Sequence, residues 1–282
     1  MRRSDIQSLY ELTSESGRNI EKSCLECVFD TDPSRLLVVV KDDGKVIGHN
    51  GALAHGQRIA SAGLNILRVD YRGLGIGRES TLRLNDLLAD MNVGGNAVYD
   101  NMAFYRQFGF NIKSYTFQIN HGPINPDFAK AVPSEGYEII PLLDVKFDDL
   151  LDYDSELHSV SRHRFIRNWT GHTSARTYVA LKNGRICGYA VLRPAYVGYK
   201  MYPIYADEPN IAKALFCRLV SYIPKGQDVI FTQPVQNEAA NEFVAANKFQ
   251  TQLTMTRIYN KWNIPLDIRR VYSVASTEFG LI

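Results

Sequence analysis

The sequence predicts an α/β protein of two domains that repeat one plan, and three observations carry that reading. The chain has 282 residues, and domains of roughly 100 to 200 residues make two more natural than one or three. Aliphatic or alternating segments are interleaved throughout with stretches of helical period. The hairpin pattern Asp43-Gly44-Lys45-Val46-Ile47-Gly48 returns as Asn183-Gly184-Arg185-Ile186-Cys187-Gly188, followed each time by the same order of strands and helices.

Ile6, Leu9, Tyr10 and Leu12, then Ile20, Cys24, Cys27 and Val28, have helical spacing and predict two short helices broken at Gly17. Residues 36–40 read as a buried strand, Asp42-Asp43-Gly44 as a turn and 45–54 as the returning strand of a hairpin. Residues 59–69 form a third strand that runs into Asp70-Tyr71-Arg72-Gly73-Leu74-Gly75-Ile76-Gly77, and 80–89 is helical. A strand near Met91 precedes a helix over 98–108, closed by Gly109, and 112–120 is a further strand. Turn formers then dominate, from His121 to Pro126 and from Val132 to Gly136. They place a linker at 126–136 between domains 1–125 and 137–282. In the second half, strand 200–205 leads into helix 211–223, and strand 229–232 into helix 237–246.

Composition removes several classes of function. Apolar residues at 45% and charged residues at 22% suit a folded globular chain rather than a disordered one. A net charge of +2 supplies no field for nucleic acid or an anionic membrane. No apolar stretch follows Arg2 and Arg3 as a signal peptide requires, and the longest aliphatic run, Leu36–Val40, is far too short to span a bilayer. Four cysteines make no disulfide framework in a chain of this length. The expectation is a soluble, reduced, cytoplasmic protein.

One motif carries chemistry. A strand that ends in Arg72-Gly73-Leu74-Gly75-Ile76-Gly77 and opens a helix leaves backbone N–H groups unpaired at the helix start, where the dipole adds about half a positive charge. Glycines let an anion approach that backbone, and Arg72 adds a fork of donors, so the loop suits a pyrophosphate. A Walker loop needs Lys-Ser/Thr where Arg78-Glu79 stands. A dinucleotide fingerprint needs G-x-G-x-x-G after the first strand.

The loop resembles that of the GNAT superfamily of acyl-CoA-dependent N-acetyltransferases, written R/Q-x-x-G-x-G/A. The family's later Tyr-x-x-x-Gly-Phe is matched by Tyr105-Arg106-Gln107-Phe108-Gly109-Phe110. The second half is similar to GNAT domains of the YitH-like kind, through Gly188 to Pro194 and Tyr202 to Asp207. Its own loop reads Ala206-Asp207-Glu208-Pro209-Asn210, whose two carboxylates would repel a pyrophosphate and cap a helix instead. The resemblance implies two tandem domains, each a mixed, mostly antiparallel splayed sheet with helices on both faces, the second a degenerate copy.

The same resemblance implies acetyl-CoA as co-substrate, no metal, and the amine of a small molecule as acceptor, attacking through a tetrahedral intermediate. The cofactor would be held by Leu67, Arg68, Val69, Arg72, Gly73, Leu74, Gly75, Ile76, Gly77, Arg78 and Tyr105. Tyr105 stands where the family's general acid often stands; its other reading is a packing aromatic. No glutamate lies on the strand before the loop. Asp70 is then the nearest base, unless it only caps the turn, with His49, His55 or a bound water as alternatives. Cys24 and Cys27 read as core cysteines, because nothing completes a zinc set. Arg162, Arg164 and Arg167 read as a solvated helix face beside a core stripe of Phe165 and Trp169, with part of a substrate cleft as the alternative. A non-catalytic CoA sensor and a protein N-acetyltransferase are the competing functions; oligomeric state stays open.

Overall fold

The computed structural model describes residues 1–98, 101–130 and 136–279. Two helices, α1 (Asp5–Glu15) and α2 (Lys22–Thr31), precede the hairpin β1 (Leu36–Val40) and β2 (Val46–His55) and the strand β3 (Ile59–Leu67). Helix α3 (Ile76–Leu87), β4 (Asn92–Val98), the short α4 (Met102–Arg106) and β5 (Ile112–Pro123) complete the first series. The second opens with β6 (Glu138–Pro141), α5 (Phe147–His158) and α6 (His163–Thr170). It then repeats the plan as β7 (Arg176–Lys182), β8 (Arg185–Pro194), β9 (Tyr199–Ala206), α7 (Pro209–Val220), β10 (Asp228–Pro234), α8 (Glu238–Asn247) and β11 (Gln250–Tyr259). A short strand, β12 (Val271–Ser273), follows.

All strands join one sheet in the order β1-β2-β3-β4-β11-β5-β10-β9-β8-β7-β6, with β12 beside β9. Only β3 with β4 and β9 with β10 pair in parallel; the other pairs are antiparallel. Helices cover both faces, as alternating residues show. Leu53 joins the cluster of α1 and α2, whereas Ala52 packs with Leu84 of α3. In β8, Tyr189 and Val191 meet Leu150 and Tyr153 of α5, while Ala190 and Leu192 meet Ile211 and Leu215 of α7.

The two series exchange their final strands. β11 lies between β4 and β5, and β5 lies between β11 and β10. Met255 pairs with Val98 and Tyr259 with Gly94 on one side, while β5 takes the place beside β10 from Asp228↔Pro123 to Pro234↔Phe117. Neither half can satisfy its inner strand edges without the other, so cutting the chain at the linker would expose long unpaired edges.

This exchange explains one departure from the sequence reading. The expected helix over 98–108 shrinks to Met102–Arg106, because β11 holds the chain in β4 as far as Val98. Residues 99 and 100 of that expectation, and 131–135 of the expected linker, lie outside the described residues. Helix α3 begins at Ile76 rather than 80, so the last loop glycine is already helical.

Arg162 also departs from its reading. Its side chain is fully buried, and the guanidinium forks onto Asp154 of α5 at 2.8 and 2.6 Å. Arg164 and Arg167 do remain exposed, and Phe165 stacks on Trp169 beneath them. Cys24 and Cys27 are buried thiols of α2, and Cys27 Sγ donates to Asn168 O of α6. Among the described residues no helix is long and apolar enough to cross a membrane.

Candidate active site

A bulge in β3 opens the site. Between His49↔Ile66 and Gly51↔Gly63, β3 carries two residues, Leu64 and Asn65, against the single Asn50 of β2. Leu64 takes a left-handed φ of 52° there. An extra residue of this kind bends and twists its strand. β3 therefore keeps parallel register with β4 only from Ile59↔Asn92 to Ser61↔Gly94, then parts from it.

A cavity of about 110 Å³ fills the crotch of this V. Leu64 and Asn65 of β3, Asn96 of β4, Tyr105 of α4 and Glu278 line it, with Arg18 at its edge. The Tyr105 ring is fixed edge-on against Phe104 and Phe110. Burial raises its hydroxyl above the usual phenol range, so it holds its proton throughout neutral pH.

The glycine loop lies beyond the free end of β3. Val69–Tyr71 make a tight turn, and Gly73 and Gly75 follow at φ 79° and 80°, a conformation that an L side chain resists. Gly75 is the N-cap of α3. No atom lies within 4 Å of a Cβ built at Gly73, Gly75 or Gly77, so the loop faces open space. Among the described residues nothing accepts from the N–H of Ile76, Gly77 or Arg78. Arg72 Nε donates to Leu67 O at 3.1 Å, which ties the loop to the splayed strand. A groove of about 640 Å³ runs from this loop along β1. Exposed amides, a dipole end and Arg72 with Arg78 fit a pyrophosphate.

The equivalent V in the second half is filled. β9 and β10 pair only at Val229↔Tyr199 and Ile230↔Lys200 before they part. β12 then enters the gap, pairing Val271 with Tyr205 and Ser273 with Ile204. On the other side, Val274 N donates to Thr232 O at 2.9 Å, and Thr232 N to Ser273 Oγ at 3.1 Å. The acidic loop is equally committed. Asp207 pairs with Arg270 at 2.8 Å, Glu208 with Lys182 at 2.6 Å, and Pro209 opens α7.

The predicted residues are thus distributed along one path. Arg72, Gly73, Leu74, Gly75, Ile76, Gly77 and Arg78 form the open loop; Leu67 and Arg68 end the splayed strand; Tyr105 lines the crotch. The Arg68 N–H is already donated to Ile47 O at 2.8 Å, and Val69 is 71% exposed on the turn. Asp70 is exposed on the same turn, outside the cavity that holds Tyr105. His49 and His55 also lie outside it, and both are buried. His49 Nδ1 lies 2.9 Å from Leu64 O, and burial lowers its pKa to about 4. His55 bonds Ser61 Oγ, and burial lowers it to about 3.

These histidines make stability depend on acid. Each stays neutral in the fold but takes up a proton on unfolding below its ordinary value of 6.5. Their contribution is complete above pH 6.5 and is lost as pH falls toward 4, at up to about 1.4 kcal/mol per pH unit for each ring. Denaturant midpoints between pH 7 and 4.5 should fall along that slope. A His49→Asn, His55→Asn variant with an equally steep slope would assign it to other groups.

Glu278, Thr277, Asn96 and Arg18 were missed in the sequence. None belongs to a motif, and Glu278 is far from the loop in the chain.

The comparisons follow this geometry. The family model described as an acetyltransferase (GNAT) domain matches residues 150–273. A protein of Pyrococcus horikoshii named as an acetyltransferase superposes with a TM-score of 0.78 at 17% identity, over 98% of this chain and 92% of its own. A tandem GNAT protein from the clavulanic acid biosynthesis pathway superposes with a TM-score of 0.63 at 14% identity, over 91% and 94%. Residues 150–273 thus match the GNAT domain model, and the fold over the whole chain is that of tandem GNAT proteins. The holothin acyltransferase of Pseudoalteromonas sp. (strain SANK 73390) is 18% identical over 133 residues, 47% of this chain and 45% of that relative. The matched stretch thus spans under half of that relative. The GNAT family model lies on the half whose own V is filled by β12, whereas the open loop belongs to the other half.

Proposed function

We propose that this protein transfers an acyl group, acetyl foremost, from acyl-CoA to the amine of a small molecule in the cytoplasm, with its cofactor site in residues 67–110. The observation that carries this is the alignment of an open, amide-lined glycine loop with a splayed strand whose crotch holds a half-buried tyrosine. Ile76, Gly77 and Arg78 would donate backbone N–H groups to the pyrophosphate, with Arg72 beside them. The unpaired edge of β3 around Asn65 to Leu67 would hold the pantetheine arm and polarise the thioester carbonyl. Arg68, whose amide is already used, contributes its side chain near the strand's end, and Val69 and Leu74 give apolar surface. Tyr105 would return a proton to the departing sulfur. Asp70 stays with the turn.

The second half serves as a wall and strand donor. Titration of the whole chain with acetyl-CoA is expected to give one site per chain; two equal sites would mean that β12 leaves its gap. An amine screen with acetyl-CoA, read by release of free thiol, tests the activity. Sustained thiol release without N-acylated product would leave only a hydrolase.

A further inference from the structure

The two Vs are reached by the same late segment of the chain. After β12 fills the gap between β9 and β10, residues 274–279 continue to the V of the first half. There Thr277 O accepts from Asn96 Nδ2 of β4 at 3.0 Å, and Glu278 O accepts from Leu64 N of β3 at 2.9 Å. The contact is intimate, since a Cβ on Gly63 would fall 1.6 Å from Glu278 O. Phe279 anchors the segment edge-on against His49. Glu278 is therefore held one residue from Asn65, on the strand edge proposed to polarise the thioester.

The crotch cavity opens on a second cavity of about 400 Å³. The two share Arg18, Val98, Met255, Thr277 and Glu278. Among the described residues that line either cavity, Glu278 is the one carboxylate. Its side chain is only 13% exposed, with Oε1 3.7 Å from Lys200 Nζ and Oε2 accepting from Ser276 Oγ at 3.3 Å. Lys200 lies nearer to Glu21, at 3.1 Å, which Arg193 also meets at 3.4 Å. Ile119, Ile230 and Leu253 give the second cavity an apolar wall, opposite polar lining from Arg18, Asn19 and Gln252.

We propose that the 400 Å³ cavity receives a primary amine on a compact apolar body, and that Glu278 is the catalytic base that takes the proton from its ammonium group. This rests on the transferase reading. It supplies the carboxylate that the strand before the loop lacks.

The balance is simple. The ammonium gives one proton to Glu278, which releases it to solvent through the cavity. The neutral amine forms the C–N bond as the C–S bond breaks. The second proton lost from nitrogen is matched by the one that Tyr105 gives to sulfur, and the tyrosine is reprotonated from solvent. The products are an amide, a free thiol and one net proton.

The test compares two small nucleophiles that any acceptor cavity admits: ethylamine, an ammonium ion at pH 7, and hydroxylamine, which is neutral there. Glu278→Gln keeps the size of the side chain. It is expected to slow acetyl transfer to ethylamine by about 10²- to 10⁴-fold, to slow transfer to hydroxylamine by less than about tenfold, and to leave the thermal shift by acetyl-CoA unchanged. Formate added to Glu278→Ala should restore part of the ethylamine rate. A variant as fast as wild type with ethylamine overturns Glu278 as base. Equal losses with both nucleophiles, and no rescue by formate, make its role structural and overturn the proposal as well. Wild-type protein inert toward both nucleophiles overturns the transferase reading itself, and the base with it.

Discussion

Replacing Tyr105 with phenylalanine is expected to reduce acyl transfer by about 10² to 10⁴, the usual worth of a positioned general acid. Affinity for acetyl-CoA should stay the same. The ring packs edge-on against Phe104 and Phe110, and those contacts survive the substitution. Only the hydroxyl is lost, and it acts when charge develops on sulfur rather than in the ground state. Burial raises that hydroxyl above its ordinary value, so it is protonated throughout neutral pH. A phenol is a weaker acid than a thiol, so the transfer runs uphill, and reprotonation of the tyrosine from solvent draws it forward. Single-turnover rates and calorimetric affinity for both proteins decide the matter. Full activity in the variant would return Tyr105 to its reading as a packing aromatic. Affinity and rate lost together would give the hydroxyl a binding role.

The second large effect concerns the loop. Acetyl-CoA at about a hundred times its dissociation constant should stabilise the fold by about 2.7 kcal/mol. Gly77→Leu should abolish that shift while the free protein stays folded. Gly77 lies in the first turn of α3 with nothing within 4 Å of its Cβ position, so a side chain meets no protein atom. Leucine also favours the helix over glycine by up to about 1 kcal/mol. What it does obstruct is the space in front of the amides. Gly75 is a poorer position for this test, because its φ of 80° would cost a side chain about 1 to 2 kcal/mol of fold stability. A variant that keeps the ligand shift would move the pyrophosphate away from the loop. A wild-type protein with no shift would remove the basis for a transferase.

Local pattern alone determined much of this protein. The hairpin of β1 and β2, the recurrence of its turn at Gly184, the glycine loop before α3 and Pro209 at the start of α7 could all be read because each depends on neighbours a few residues apart. Periodicity and turn chemistry are short-range properties, so the α/β class and the repeat followed from them. What the sequence could not carry was set by partners far along the chain. Val98 stays extended rather than helical because Met255 pairs with it. Arg162 is buried rather than solvated because the packing of α5 buries Asp154, eight residues earlier, as its fork of acceptors. The second V is closed because β12 bonds to both of its arms. Glu278 reaches the first V by the same route, through one backbone bond to a bulged residue. No local signal marks such a residue. Its position depends on an exchange of strands between halves, and only the closing of the sheet brings it to the site.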